Sequence, residues 1–449
     1  MRIFEQRFAL PAAPGHRSLL SHLAKGVTFR IGSGTVASRF LVTKTTENFY
    51  ECEVGVIEGA TDTSDQQDIF RFERRRVENT ARFTAVLLVP TGIGAVIGGH
   101  AGDAGPVAKL MASACDRLVT HPNVVNASDI NEMPENALYV EGSVLARLLM
   151  GTAGLQPVRS NRVMVVIDAH KNDALRNAAI NAVNGARAAY GFDCPRLVML
   201  DPPLIMRSEY NASGRASGEI SELDELIDLL TEHRATYDAV AISSVIRVPP
   251  SFHQEYFDRG GEMVNPWGGV EALLTHAVSK ILNVPSAHSP MFESEEIANV
   301  DPGVVEPRMA AEAVSLTFLQ CILKGLQRSP RIVTDPEAVR GSGVVTVEDV
   351  SCIVIPDGCV GLPTLAALEQ GIPVIAVREN TNLMQNDLGA LPWAPGQFHV
   401  VENYWEAVGV MAALRAGIPP QAVRRPVGFV PVEVHGTIES SQKMGASKG

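Results

Sequence analysis

Cysteine, aromatic residues and long apolar runs are all scarce in this chain, and each scarcity removes a class of protein. Six cysteines are scattered between Cys52 and Cys359, with no pair at CxxC spacing. That density is too low for a disulfide framework, and the spacing offers no zinc ribbon or thiol-redox motif. No stretch of 18 or more uninterrupted apolar residues occurs, so no transmembrane helix is expected. The opening residues MRIFEQRF lack the apolar centre and small-residue cleavage site of a secretory signal. Positive charge is in deficit as well: 38 Lys+Arg against 50 Asp+Glu gives a formal net charge of −12. A surface of that sign repels nucleic-acid phosphates, which argues against a general nucleic-acid binder but leaves room for a local basic pocket. The expectation is a reduced, cytoplasmic protein with neither membrane nor nucleic acid as partner.

What is present fits a folded enzyme-sized chain. The 449 residues are 46% hydrophobic and 20% charged, too apolar for disorder and long enough for about two to three domains. Residues 1–80 read as a β-rich N-terminal region. Within it, 40–57 carries two β-branched and aromatic runs around a polar Thr-Glu-Asn centre, a hairpin signal. The tract 61–68 reads as a loop, and 71–78, with Arg74, Arg75 and Arg76, as a solvated helix face or linker.

From about residue 82 strands alternate with helices. Strands are predicted at 84–90, 117–120, 162–168, 196–201, 237–243, 351–356 and 373–377. Helices are predicted near 106–115 and over 173–190, 222–233, 268–282, 307–327 and 364–370. Such alternation favours βαβ crossovers and parallel sheets. The predicted architecture is therefore α/β: two parallel-sheet, Rossmann-like halves (81–250 and 251–434), the small β-rich region before them, and a flexible tail over 435–449.

Several strand ends carry residues suited to chemistry. PTGIGAVIGGHAGD (90–103) places glycines directly after a strand, where bare backbone amides and the next helix start suit an anion. Gly94, Gly98, Gly99 and Asp103 are its candidate binding residues, although the spacing matches neither a Walker A loop nor GxGxxG. THPNVVN (120–126) offers His121 as acid or base and Asn123 as a polar contact; a loop-satisfying turn accounts for the same residues. Asp168 and His170, one residue apart at another strand end, are the candidate pair should a divalent metal be used, though no cofactor is demanded. His276 lies in an apolar helix and reads as a core histidine, whereas His288 sits in small-residue text that reads as a loop and can be positioned for catalysis.

The fifth stretch, DGCVGLPTLAALEQGIPVIAVREN (357–380), is the most specific. Backbone amides near Gly358 and Gly361, with Thr364, would face an anion, and the helix entrance would favour the thiolate of Cys359. Arg378 and Asn380, at the next strand end, would clamp the same ligand. An inert buried cysteine on a structural crossover is the competing explanation.

Across roughly residues 1–430 the chain resembles a family known only as a domain of unknown function. The residues that carry the resemblance are PTGIGAVIGGHAGD, THPNVVN, NALYVEG (136–142) and GCVGLPTLAALEQGIPVIAVRENTNLMQNDL (358–388). It implies that residues 1–80 are integral to the protein, and it supplies no activity. Locally, Cys359, Leu362, Thr364, Leu365, Gly371, Pro373 and Val374 are similar to the second-half site of aspartate/glutamate racemase-like enzymes. A matching first-half thiol is missing, since Cys115 falls within a predicted helix. The same turn resembles the donor site of two-domain glycosyltransferases. The leading expectation is an enzyme acting on a small anionic or amide-bearing metabolite at a glycine-lined cleft. It would use isomerase, lyase or hydrolase chemistry with His121, Cys359 or His288, and a homo-oligomer is compatible with it. A nucleotide-sugar-dependent transferase and a non-catalytic ligand sensor or assembly protein are the alternatives.

Overall fold

The computed structural model describes residues 1–12, 18–60, 68–433 and 435. The predicted 61–68 loop, apart from Asp68, and nearly all of the tail lie outside them. The fold is mixed α/β. Among the described residues, six parallel strands form one sheet, in the spatial order 398–401, 374–377, 350–356, 84–87, 117–120, 137–139. Strands Thr84–Leu87, Val350–Pro356 and Val374–Val377 are buried at every position. Such uninterrupted apolar runs mark parallel strands covered on both faces.

Numbered by first appearance, the strands of this sheet run 3-2-1-4-5-6, the order of a doubly wound sheet. The chain winds outward from 84–87 to 137–139, leaves, and returns at 350–356 to wind outward on the other side. The strand direction therefore reverses its progress between 84–87 and 350–356. Ligands of open α/β sheets bind outside the carboxyl ends of the strands at that point.

The chain between those two visits builds a second, mixed sheet. Antiparallel ladders join Thr35–Thr45, Phe49–Glu58, Arg2–Pro11, Ala216–Ser221 and Ile205–Tyr210. Parallel ladders join Ile205–Tyr210, Ala239–Arg247, Val163–Asp168 and Leu197–Leu200, with Ser286–Met291 also beside Ala239–Arg247. The α/β class holds, but the two Rossmann-like halves expected at 81–250 and 251–434 are not seen as such: the parallel sheet takes three strands from each, and the other sheet is half antiparallel. The reason is the N-terminal region. Its hairpin forms as predicted, pairing Thr45 with Tyr50, but its strands join the second sheet through Ile3↔Ile220 and reach the first-sheet segment through Val42↔Val360.

Most predicted helices form within two residues of their expected ends, including Asp173–Tyr190, Leu223–Glu232 and Gly268–Leu282. The helix expected over 307–327 is instead broken into a short 3₁₀ turn, Pro307–Met309, a single turn, Ala310–Ala313, and the helix Leu319–Gln327. Between the last two, the Ser315 hydroxyl lies within hydrogen-bond distance of both the Thr317 carbonyl and Asp129, an alternative to helical pairing that serine commonly takes.

Of the two readings of 71–78, the linker holds: the segment is non-helical and mostly exposed, with Arg75 half-buried. Arg75 lies across the end of the parallel sheet, donating to the carbonyls of Val350, Gln370 and Gly371 at 3.0–3.1 Å. Charged donors on carbonyls contribute about 1.5–3 kcal/mol each when buried, less at partly exposed positions. Arg75→Ala is therefore expected to lower the unfolding free energy by about 2 kcal/mol, read as a fall in the urea midpoint at unchanged slope. The neighbouring Arg74→Ala should leave the midpoint unmoved.

Candidate active site

The carboxyl ends of the parallel strands deliver the site. Thr84–Leu87 leads into the glycine loop, Arg117–Thr120 into His121, Ala137–Tyr139 into Glu141, and Val350–Pro356 into the turn at 357–361. Facing them is the helix Gly268–Leu282, which carries Glu271, His276 and Lys280, and the strand Ser286–Met291, which carries His288. Two adjoining cavities lie between these elements, of about 290 and 460 Å³, and both are lined by Thr91, His121, Gly142, Ala272 and His276.

At their junction sits a buried carboxylate. One oxygen of Glu141 caps the helix Gly142–Leu149, accepting from the Ser143 amide at 2.9 Å, the Val144 amide at 3.3 Å and the Ser143 hydroxyl. Its other oxygen lies 3.0 Å from His276 Nε2. Burial pushes the Glu141 carboxyl up, but His276 and the Ser143 bonds outweigh it and hold the group below the usual carboxylate range. The second ring nitrogen of His276, Nδ1, is buried and has no hydrogen-bond partner among the described residues.

His121 is fixed by its neighbour. Its Nε2 accepts the Val89 amide at 3.1 Å, so in the neutral ring the proton resides on Nδ1. Burial lowers its pKa to about 4, against the pull of Glu141, so the ring is neutral near pH 7. His121 is thus a hydrogen-bond donor facing the cleft rather than a base.

The smaller cavity is lined by five of the chain's eleven histidines, together with carboxyl groups of contrasting environment. His288 lies in a buried strand rather than the expected loop, with Nε2 2.8 Å from Ser244 Oγ and Nδ1 3.2 Å from Glu271. The order Ser–His–carboxylate resembles a nucleophilic triad, but Ser244 is fully buried behind the ring and lines neither cavity. Its role is to orient His288. Glu312 accepts the Ala101 amide at 2.8 Å, and burial pushes its carboxyl up to about 7. His100 donates to or accepts from Tyr256 at 2.7 Å, and burial lowers it to about 4.

The residues singled out from sequence divide three ways. Gly99, His121, Asn123 and His288 line the smaller cavity; His121, Cys359, Gly361 and Thr364 line the larger. Gly94, Gly98, Asp103, Gly358, Arg378 and Asn380 line neither. Apart from Arg378, which pairs with a surface carboxylate, they serve the backbone instead. Asp103 accepts the Gly98 amide at 2.8 Å, and Asn123 donates to the Val89 and Gly98 carbonyls at 2.8 Å, which closes the loop on itself. A Cβ at Gly99 would lie 2.1 Å from the Ala95 carbonyl oxygen, so the glycine there answers a close approach of backbone.

Cys359 corrects an electrostatic expectation. Although it stands two residues before a helix, burial raises its thiol far above the ordinary value, so the helix entrance does not make it a thiolate. Asp168 and His170 are also committed elsewhere. Both Asp168 oxygens accept amides, of Leu204 and Val245, while His170 Nδ1 accepts the Asn172 amide and Nε2 meets the Glu293 carbonyl. Among the described residues no group of three or more His, Cys, Asp or Glu side chains is placed to hold a metal ion.

Sequence reasoning passed over Glu141, Glu271, Glu312, Arg147 and Lys280, and took His276 for core. One signal was available: Ala272, His276 and Lys280 recur at four-residue spacing on an otherwise apolar helix, which sets two ionisable groups on one face.

Arg378 and Asn380 separate sharply in role. Arg378 pairs with Glu402 at 2.6 Å on the surface. Asn380 is fully buried, bonded to both the amide and the carbonyl of Ile97 at 2.9 Å and to Tyr404 at 2.8 Å. Asn380→Ala should cost at least about 2 kcal/mol, because it strands buried polar groups, and Arg378→Ala no more than about 0.5 kcal/mol. Thermal or urea unfolding of the two variants checks the contrast.

Comparison with known proteins gives a family without an activity. No solved structure matches. The chain is similar to an uncharacterized lipoprotein of Synechococcus sp., 35% identical over 345 residues, which span 76% of this chain and 93% of that one. No helix among the described residues is long and apolar enough to cross a membrane. Residues 84–424 match the family described as protein of unknown function DUF3326, and they include every strand of the parallel sheet and the lining of the smaller cavity. The chain belongs to that family.

Proposed function

We propose that this protein is an enzyme that moves a proton at a carbon of a small anionic metabolite, by isomerase- or lyase-type acid/base chemistry. The observation that carries the reading is the junction of the two cavities, where His121 and the Glu141–His276 pair meet. Two protonation roles are available there, and a third in the smaller cavity beside it. The ionised Glu141 orients His276, whose unpartnered Nδ1 is the candidate base. His121 Nδ1–H is a neutral donor suited to a carbonyl or carboxylate oxygen that gains charge as the proton leaves. Glu312, half protonated near pH 7, is the candidate acid that returns a proton. Two carboxyls pushed in opposite directions within one site is the usual basis for dividing acid from base.

Covalent chemistry has less support. Cys359 is held as a thiol by burial, and Ser244 is out of reach of both cavities. The doubly wound order of the parallel sheet supports the place, since the junction lies at the carboxyl ends of its strands.

The test is deuterium exchange. The protein is incubated in D2O with a panel of small hydroxy- and keto-acids and their phosphate esters, and carbon-bound deuterium is read by mass spectrometry. One panel member should exchange with wild type, and His276→Gln should lose at least about 100-fold, within the range for removing a general base. Glutamine keeps an N–H for Glu141 but has no proton-accepting nitrogen. The rate should fall as pH rises through about 7, as Glu312 loses its proton. Full exchange in His276→Gln, or no exchange with any member, would contradict the reading.

A further inference from the structure

The larger cavity has a charge balance opposite to the smaller one. Its lining carries the cations Arg39, Arg71, Arg147 and Lys280 against a single acid, Asp68. Two of the four cations already have carboxylate partners: Arg39 meets Glu5 at 3.4 Å, and Arg71 meets Glu73 at 2.5 Å. The other two have none within ion-pair distance among the described residues. Arg147 donates through Nη2 to Asn283 at 3.0 Å, while its Nη1 is buried without an acceptor among the described residues. Lys280 makes no hydrogen bond among the described residues, and burial followed by the nearby Arg147 lowers it to about 7. Asp68, in the same lining, pulls the other way without meeting Lys280 within ion-pair distance.

Further polar groups of the lining are also unsatisfied. The Ser38 hydroxyl is buried and unpartnered on a side chain 2% exposed. The nine-residue helix Leu362–Gln370 opens onto the cavity at Gly361, Leu362 and Thr364, and no side chain caps it. An uncapped helix start adds partial positive charge and amides without intrahelical partners.

We infer that this cavity binds a phosphate group, held by Arg147, Lys280 and the open helix start, so that the substrate is a small phosphate monoester. Two cations with no carboxylate in contact among the described residues, beside a helix start, suit the roughly −1.5 to −2 charge that a phosphate ester concentrates on one group at pH 7. A monocarboxylate would leave one buried cation unbalanced. The cavity, about 460 Å³, has room for more than the phosphate, and the rest of the ester would extend past His121 and His276 into the smaller cavity. The inference rests on the proposed function for the ester's fate, but the phosphate site stands or falls separately.

The experiment is calorimetric titration of the whole protein with inorganic phosphate, and with malonate as a dicarboxylate probe, at low ionic strength. Phosphate should bind saturably and at least tenfold more tightly than malonate. Lys280→Met and Arg147→Met, which keep the apolar volume of the side chains, should each weaken phosphate at least tenfold. Arg378→Ala, at a residue that lines neither cavity, should bind phosphate as wild type does. Absence of phosphate binding by wild type, equal affinity for malonate, or unaltered phosphate binding by a folded Lys280→Met protein would each overturn the site. If phosphate binds as described but no ester exchanges deuterium, the site holds and the proton-transfer reading fails. Exchange confined to unphosphorylated acids, without phosphate binding, gives the reverse.

Discussion

A single buried carboxylate, Glu141, ties the molecule together at its functional centre. Placing an ionised group away from water costs several kcal/mol unless its lone pairs are met. Here one oxygen is met by the first amides of its own helix and by Ser143, and the other by His276 on a different helix. The helix Gly142–Leu149 follows the last strand on one side of the parallel sheet, and Gly268–Leu282 packs on the mixed sheet. Glu141 therefore fixes the distance between the two sheets as well as the tautomer of His276. The same two helices carry Arg147 and Lys280 one turn or so farther on. Acidic and basic groups are thereby sorted into adjoining cavities, with Glu141 and His276 on the boundary.

The topology explains why the site is assembled from distant segments. The parallel sheet is left open after Ala137–Tyr139 and completed only by Val350–Pro356, so its switch point joins residues more than 200 positions apart. The intervening chain is not a detached unit. It returns Gly268–Leu282 and Ser286–Met291 against the carboxyl edge of the parallel sheet, and those supply half of the ionisable groups. The glycine loop is held in place rather than held open for a ligand: Asp103, Asn123 and Asn380 bind its backbone from three sides. A mobile loop would give back in ordering entropy what its amides gained on binding.

Much of the fold was legible because local signals and tertiary structure agree. The buried strands 84–87, 163–168 and 350–356 read as unbroken apolar runs, and the hairpin read over 40–57 as two β-branched and aromatic runs around a polar centre. What sequence could not supply was pairing. Nothing in residues 1–60 shows that Ile3 will sit opposite Ile220, or that Val42 will pair with Val360, because such ladders depend on backbone geometry more than side-chain identity. The site was legible at its strand ends, where His121, Cys359, Gly361 and Thr364 stand. It was illegible at Arg147, set in ordinary helix text, and at Glu141, which reads as a helix cap after a strand. Several polar residues that looked ligand-directed, Asn380 and Asp103 above all, are bonded to backbone, and a sequence does not distinguish an amide kept for a ligand from one kept for a loop.

The most direct test of this account is the proton position on His276, read by long-range ¹H–¹⁵N correlation in protein labelled at histidine and assigned with His276→Gln. The account predicts that in the neutral ring the proton is on Nε2, facing an ionised Glu141, with Nδ1 carrying the free lone pair. A proton on Nδ1 instead, with Nε2 accepting from a protonated Glu141, would remove the proposed base and contradict the central claim.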